Sequence, residues 1–454
     1  MRRSQSRRAI RTAAAVTVAG ALLASCAGAG GGSGSGDGDS INVLMVNNPQ
    51  MTQLQRLTAD HFTKDTGIKV NFTVLPENEV RDKISQDFAN QAGQYDVATI
   101  SNYETSIYAR NGWLHELDPY LRDDEGYDVQ DILTPIQLSL TGEDGKLYAQ
   151  PFYGESSFLM YRTDVFEEHG LTMPEQPTWT EVAELAAEVD AAESGMKGIC
   201  LRGLPGWGEV IAPLTSVVNT FGGTWFTEDW EAQLDSPEFT EATQFYVDLV
   251  REHGQSGAAQ AGYAECLNNM VQGNTAMWYD ATAGAGSLEA DDSPVAGNIG
   301  YVPAPVEQTD SSGWLYTWAW GVQAASQKAD TAWEFISWAS SKEYEELVGE
   351  TLGWSNVPAG KRTSTYENAD YQEHAAAFYQ VTHDAIAAAD PINPGVQPRP
   401  VPGIQFVTIP EFADLGTKVS QEISSAIAGR QTVEQALAKS QTLADAVAEE
   451  YRNR

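Results

Sequence analysis

Positive charge is scarce in this chain: 27 Lys+Arg stand against 63 Asp+Glu in 454 residues, for a formal net charge of −36. Phosphate recognition needs clustered Lys and Arg, so the balance argues against a nucleic-acid partner. Histidine and cysteine are few as well. The six histidines, His61, His115, His169, His253, His374 and His383, include no pair four residues apart, and no cysteine has a neighbour at metal-ligand spacing. No metal is therefore expected. A Gly-x-Ser-x-Gly elbow is missing, and so is a Gly-x-x-x-x-Gly-Lys-Ser/Thr loop. The Gly-rich Ala283-Gly284-Ala285-Gly286 lacks the lysine. Covalent hydrolysis and nucleotide chemistry lose ground, and no cofactor is expected. Beyond the amino terminus no window of 18 apolar residues exists, so nothing in the body reads as a membrane span. No repeat of fixed period is found.

What is present is enough for a large core, with 42% hydrophobic residues and 10% aromatics, and the length suggests two or three domains. The amino terminus carries an address. Arg2, Arg3, Arg7, Arg8 and Arg11 precede an apolar stretch from about Thr12 to Leu23, then Leu23-Ala24-Ser25-Cys26. This resembles a bacterial lipoprotein signal peptide over 1–25, with Cys26 as the lipid-bearing residue. Ser6-Arg7-Arg8 partly resembles a twin-arginine signal, which leaves the export route open. Losing the five arginines would take the charge from −36 to −41. The Gly/Ser-rich stretch to Ser40 reads as a tether (26–40), and the folded part should begin near Ile41. Cys200 and Cys266 can pair in an oxidising compartment or stay as separate buried thiols; separate thiols are expected, because one disulfide adds little to a large core.

In the body, Ile41–Val46 is an apolar run suited to a buried strand, and 50–66 places Met51, Leu54, Leu57 and Phe62 at helical spacing. Gly67–Val74 alternates with period two, a helix follows over 77–90, and 95–100 reads as a third strand. This βαβαβ order predicts an α/β fold. Segments 146–152 and 157–161 read as extended. Thr178 or Thr180 can cap the next helix. Short strands are predicted at 199–201, 276–279 and 299–302, and helices at 237–252, 263–272, 329–340, 372–389, 411–428 and 432–450.

Two chemistries remain. A glycosidase needs only two carboxyl groups about one substrate, and 63 acids always supply a pair. A sugar or polyol receptor needs acids and amides for hydroxyls and aromatic faces for C–H surfaces. The chain offers Gly206-Trp207-Gly208-Glu209, Met277-Trp278-Tyr279-Asp280, Trp318-Ala319-Trp320 and Trp354-Ser355-Asn356, among 12 Trp and 18 Tyr.

Gly67-Ile68-Lys69-Val70, Tyr95-Asp96-Val97, Gly145-Lys146-Leu147-Tyr148-Ala149-Gln150-Pro151, Met160-Tyr161-Arg162-Thr163-Asp164-Val165-Phe166, Pro177-Thr178-Trp179 and Gly429-Arg430-Gln431-Thr432-Val433, in this order, resemble the extracellular solute-binding proteins of carbohydrate ABC transporters. The resemblance spans nearly all of the mature chain. Phe152-Tyr153-Gly154-Glu155-Ser156-Ser157, Leu204-Pro205-Gly206-Trp207-Gly208-Glu209, Val218-Asn219-Thr220-Phe221-Gly222-Gly223, Trp278-Tyr279-Asp280-Ala281-Thr282 and Gly403-Ile404-Gln405-Phe406-Val407 are similar to the sorbitol/mannitol-binding branch.

The resemblance implies a two-lobed, periplasmic-binding-protein-like α/β fold with a hinge and a ligand cleft between lobes of 41–152 plus 318–353 and 153–317 plus 354–454. It implies a non-catalytic, membrane-anchored receptor that captures a linear polyol by lobe closure and hands it to an ABC permease, acting as a monomer. Glu155 falls at the first crossing and, with Asp280, is expected to accept ligand hydroxyls. Trp207 is expected to form an aromatic wall, with Trp320 and Trp354 as further aromatic candidates. Asn47 and Asn102 sit at carboxyl ends of strands, where open α/β sheets bind ligands. Arg399, in a Pro-rich loop, is a candidate donor. A binder of another mono- or disaccharide on the same fold is the alternative, and a lipoprotein glycosidase is the alternative of another class.

Overall fold

The computed structural model describes residues 40–454; the signal segment, Cys26 and nearly all of the tether lie outside the described residues. The strands are β1 (Ser40–Val46), β2 (Lys69–Leu75), β3 (Val97–Ser101), β4 (Ala149–Glu155), β5 (Ser157–Arg162), β6 (Lys197–Cys200), β7 (Thr275–Ala281), β8 (Ile299–Pro303) and β9 (Tyr316–Val322). They form two sheets, one ordered β2-β1-β3-β9-β4 and one ordered β6-β7-β5-β8. In the first, β2, β1 and β3 are parallel, as the βαβαβ pattern predicts, and β9 returns antiparallel between β3 and β4. In β1, Val43, Leu44 and Met45 are fully buried, which is why the strand reads as a continuous apolar run.

Local chemistry ends and starts the helices. Asn48 caps Pro49–Thr58 by accepting from the Met51 backbone N–H, with proline at the first helical position. A wider turn at Ala59–Thr63 extends this helix to Thr66, and Gly67, at φ +80°, stops it. Ser101 and Glu104 form a capping box on Asn102–Arg110, and Thr178, with Glu181, does the same on Trp179–Ala192, which settles the choice between Thr178 and Thr180. The helix expected over 372–389 is two, Ala369–His374 and Tyr379–Ala388; the break lets Phe378 pack 5.6 Å from Tyr301. Helix Ile211–Thr220 gave no periodic signal because all ten of its residues are buried. Among the described residues, no helix is long and apolar enough to cross a membrane.

One expectation is overturned. Cys200, at the end of β6, and Cys266, on helix Tyr263–Val271, form a disulfide with their Cα atoms 5.5 Å apart. The 66 residues between them hide this proximity, because that helix returns the chain to β7, which pairs with β6. Closing so long a loop restricts the unfolded chain, so the bridge contributes even to a large domain.

The sheets connect through three crossings. β4 keeps its first-sheet pairing through Glu155, and β5 starts the second sheet at Ser157. The chain returns between β8 and β9, and crosses again after helix Lys342–Leu352. The first and third crossings touch: the Gly154 N–H donates to the Ala359 carbonyl (3.1 Å), and a Cβ on Gly154 or Gly360 would strike the other's backbone. Next to it, Lys361 is buried on Glu345, and Arg362 reaches Asp131 at 3.3 Å, tying this crossing to the first lobe. Gly360 has φ +81°, so a side chain there is both clashing and strained. Gly360→Ala should destabilise the protein by about 1–3 kcal/mol, read as a lowered urea midpoint. Wild-type stability in that variant would mean that the crossings do not meet in this way.

Candidate functional site

A cavity of about 260 Å³ opens between the two sheets. Its size suits a ligand smaller than drug-sized molecules. From the first lobe come Asn47 and Asn48, just beyond β1, and Glu77 and Arg81 on helix Glu77–Ala89; the second lobe supplies Arg202, Glu209, Tyr263 and Glu265. Tyr153 and Glu155 on β4 and Tyr316 and Trp318 on β9 form the floor between them, with Trp314, Gln405 and Phe406 alongside. These positions lie at one edge of each sheet, the carboxyl ends of β1, β4 and β6 and the start of antiparallel β9. Ligand sites of open α/β sheets occur at such edges.

Two guanidinium groups organise the acids. Arg81 donates to Glu77 (2.8 Å), to Glu104 (3.3 Å) and to the Tyr316 hydroxyl. Arg202 donates to Asp280 (2.8 Å) and to the Gly208 carbonyl (2.9 Å), and lies 3.5 Å from Glu209. Glu155 differs from these acids. It is 6% exposed, lines the cavity, and receives no hydrogen bond among the described residues. Burial pushes its carboxyl well above the usual carboxylate range; Arg202 opposes this, while Asp280 and Glu77 add to it. Burial and then the charge of Glu77 push Glu209 up to about 8. The indole N–H of Trp314 is buried and also unpartnered among the described residues. The cavity therefore presents a free acceptor and aromatic faces, groups that a polyhydroxylated, uncharged chain would engage.

The structure distributes the predicted residues unevenly. Asn47 and Glu155 line the cavity. Asp280 stands behind it, fully buried, holding Arg202, the Trp278 indole (3.1 Å) and the Ala281 backbone N–H (2.7 Å). Its acceptor sites are thus filled by protein donors. Trp207 also stands one layer back, with its ring on Arg81. Asn102 clamps the start of β9, donating to the Leu315 carbonyl and accepting from the Thr317 N–H. Trp320 shares a face of β9 with Tyr316 and Trp318, but lies deeper, 5.3 Å from Phe152 and 5.7 Å from Phe335. Trp354 packs where a Cβ on Gly349 would go, and Arg399 braces its own loop through the Gly403 carbonyl and Asn219. None of these last four lines the cavity.

Residues 47–346 match the family described as bacterial extracellular solute-binding protein. The chain belongs to that family. A mannitol-binding protein of Pseudomonas aeruginosa is 40% identical over 405 residues, which span 88% of this chain and 91% of that one. An ABC transporter solute-binding protein of Agrobacterium vitis S4, solved with bound D-mannitol, is 45% identical with a TM-score of 0.88 and covers 91% of this chain and 99% of its own. A solute-binding protein of Agrobacterium radiobacter K84 in complex with ribitol shares the fold at 23% identity and a TM-score of 0.80, over 90% of this chain and 99% of that one. The two-sheet α/β architecture is thus that of a two-lobed solute-binding protein. Its family places it outside the cytoplasm.

Sequence reasoning missed Arg81, Arg202 and Tyr263 in this solute-binding protein, since an isolated Arg or Tyr carries no spacing signal. Tyr153, Glu209, Trp318, Gln405 and Phe406 lay inside motifs already singled out.

Two outcomes follow from the acids. Above the ordinary glutamate value near 4.3, and up to about 8 for Glu209, the folded protein holds protons on Glu155 and Glu209 that the unfolded chain has released. Stability of the empty protein is therefore full at low pH and falls as pH rises through this window. The melting temperature should be higher at about pH 5 than at about pH 8, and Glu155→Gln should shrink the difference. Glu155→Gln keeps the shape but replaces a carboxyl oxygen by an NH2 donor, so ligand affinity should drop at least about tenfold, some 1.4 kcal/mol, with little change in melting temperature at about pH 5. A large stability loss at unchanged affinity would assign Glu155 to the hinge instead.

Proposed function

We propose that this solute-binding protein is a non-catalytic receptor for a linear polyol, a hexitol of the mannitol or sorbitol kind, which it delivers to an ABC import permease. The observation that carries the reading is Glu155: an unpartnered carboxylate at the lobe crossing, facing a cavity of about 260 Å³ walled by Tyr153, Tyr316 and Trp318. Its two carboxyl oxygens can engage two neighbouring hydroxyls, and hydrogen bonds donated to it favour its ionised form, which burial alone disfavours. Relatives described as mannitol-binding and as holding D-mannitol support the choice of ligand. Ligand bridges the lobes only when the cleft is shut, so binding shifts the open–closed balance toward the form the permease receives.

The finer reading has the signal peptide 1–25 removed, Cys26 lipidated and the following residues, to Ser40, linking the lipid to the folded body, which acts as a monomer. The lobes in this reading are about 41–152 plus 318–353 and 153–317 plus 354–454; two separate sheets support a division near these bounds, although 153–155 and 316–317 pair within the first sheet and 361–362 are anchored to the first lobe.

The wall also defines what should not bind. The lining cations are Arg81 and Arg202, and both are already paired, with Glu77 and Asp280. An anionic ligand would meet no unpaired cation.

A thermal-shift screen of the folded body, residues 40–454, tests both statements. Mannitol, sorbitol, arabitol and xylitol should raise the melting temperature, by about 2.7 kcal/mol of stabilisation at a hundredfold excess over the dissociation constant. Mannitol 1-phosphate and gluconate should give no shift. Response to glucose, fructose or maltose alone would keep the receptor and replace the ligand class. Release of product from a glycoside would replace the receptor by a glycosidase.

A further inference from the structure

Trp207 is 7% exposed without lining the cavity. It comes from the second-lobe loop between β6 and helix Ile211–Thr220, and its ring centroid lies 4.1 Å from the Arg81 guanidinium carbon and 4.8 Å from the Tyr103 ring. Arg81 and Tyr103 belong to the first-lobe helices Glu77–Ala89 and Asn102–Arg110. Arg81 cannot follow Trp207 outward, because Glu77, Glu104 and the Tyr316 hydroxyl hold its nitrogens and the Trp318 ring lies 4.8 Å away. Two hydrogen bonds cross the cleft beside the ring: Asn78 Nδ2 donates to the Pro205 carbonyl (3.0 Å) and the Tyr103 hydroxyl to the Ile409 carbonyl (2.9 Å). The approach is close, since a Cβ on Gly208 would meet Glu77 and Arg81.

We propose that Trp207, stacked on Arg81, is the latch between the lobes. It sets how much of the protein is closed, and how long a ligand stays, without touching the ligand. Opening the cleft must strip the indole from a fixed cation and break both crossing hydrogen bonds. The ligand arm of the test rests on the polyol reading; the conformational arm does not.

Apparent affinity scales with the fraction of protein in the binding-competent state. A latch therefore changes affinity for every ligand by one factor, whereas a contact residue changes the ratios between ligands. Trp207→Ala should raise the dissociation constants of mannitol, sorbitol and ribitol together, by about tenfold, through faster release. In the ligand-free protein, single-molecule FRET with one dye on each lobe should show the closed fraction reduced by the same factor, about tenfold. Tyr103→Phe keeps the ring, removes only one crossing bond, and should act in the same direction by about threefold; it carries the same test should Trp207→Ala not fold. A changed order of preference among the alditols, or an unchanged closed fraction, overturns the latch. Should the wild type bind none of these alditols, the ligand reading fails and the closed fraction alone decides the latch.

Discussion

Burying several carboxylates in one cleft is the constraint on which the rest of this structure depends. An unpaired buried charge is costly, and a cleft rich in acids would stay hydrated or protonated without fixed cations. One arginine on each side meets part of this demand, while burial still holds the Glu155 and Glu209 carboxyls above the usual range. Arg81 gathers Glu77 and Glu104 on the first lobe, and Arg202 gathers Asp280 and Glu209 on the second. Each is braced further by a tyrosine: the Tyr316 hydroxyl accepts from Arg81, and the Tyr246 hydroxyl donates to the Arg202 carbonyl. With those pairs satisfied, Glu155 alone is left to seek donors, and it stands at the crossing between lobes. A chain of hydroxyls can supply them without bringing a charge of its own.

The same arrangement couples recognition to motion. The crossings meet at Gly154 and Gly360, where no side chain fits, so their backbones lie in direct contact beside Glu155. Lys361 and Arg362 fasten the third crossing to the first lobe. A ligand held by Glu155 thus sits one residue from the contact between the two crossings. Arg81 serves both ends of the process, lining the cavity on one side and carrying the Trp207 ring on the other.

Much of this was legible in the sequence, and the reasons for the misses are physical. Apolar runs and period-two alternation located β1 and β2, because burial imposes those patterns on strands. Helix Ile211–Thr220, buried on every face, has no stripe to detect. Motif reading reached the correct loops but not always the correct residue. In Gly206-Trp207-Gly208-Glu209 the acid lines the cavity and the indole lies behind it; in Trp318-Ala319-Trp320 the first indole faces the cleft and the second is covered by Phe335. Both indoles of the second motif share a face, so only their depth along the strand separates them, and depth is a tertiary property. Asp280 has the expected position at the end of a second-lobe strand, yet its oxygens are taken by Arg202 and the Trp278 indole. The Cys200–Cys266 pairing was likewise hidden, since sequence separation carries no information about distance across parallel strands.

The most direct measurement is a crystal structure of the folded body grown with D-mannitol. The account predicts an extended alditol in the cleft, with at least one hydroxyl within hydrogen-bond distance of the Glu155 carboxylate and others reaching groups of both lobes. Mannitol bound outside the cleft, or within it with Glu155 turned to a protein donor and no hydroxyl in reach, would contradict it.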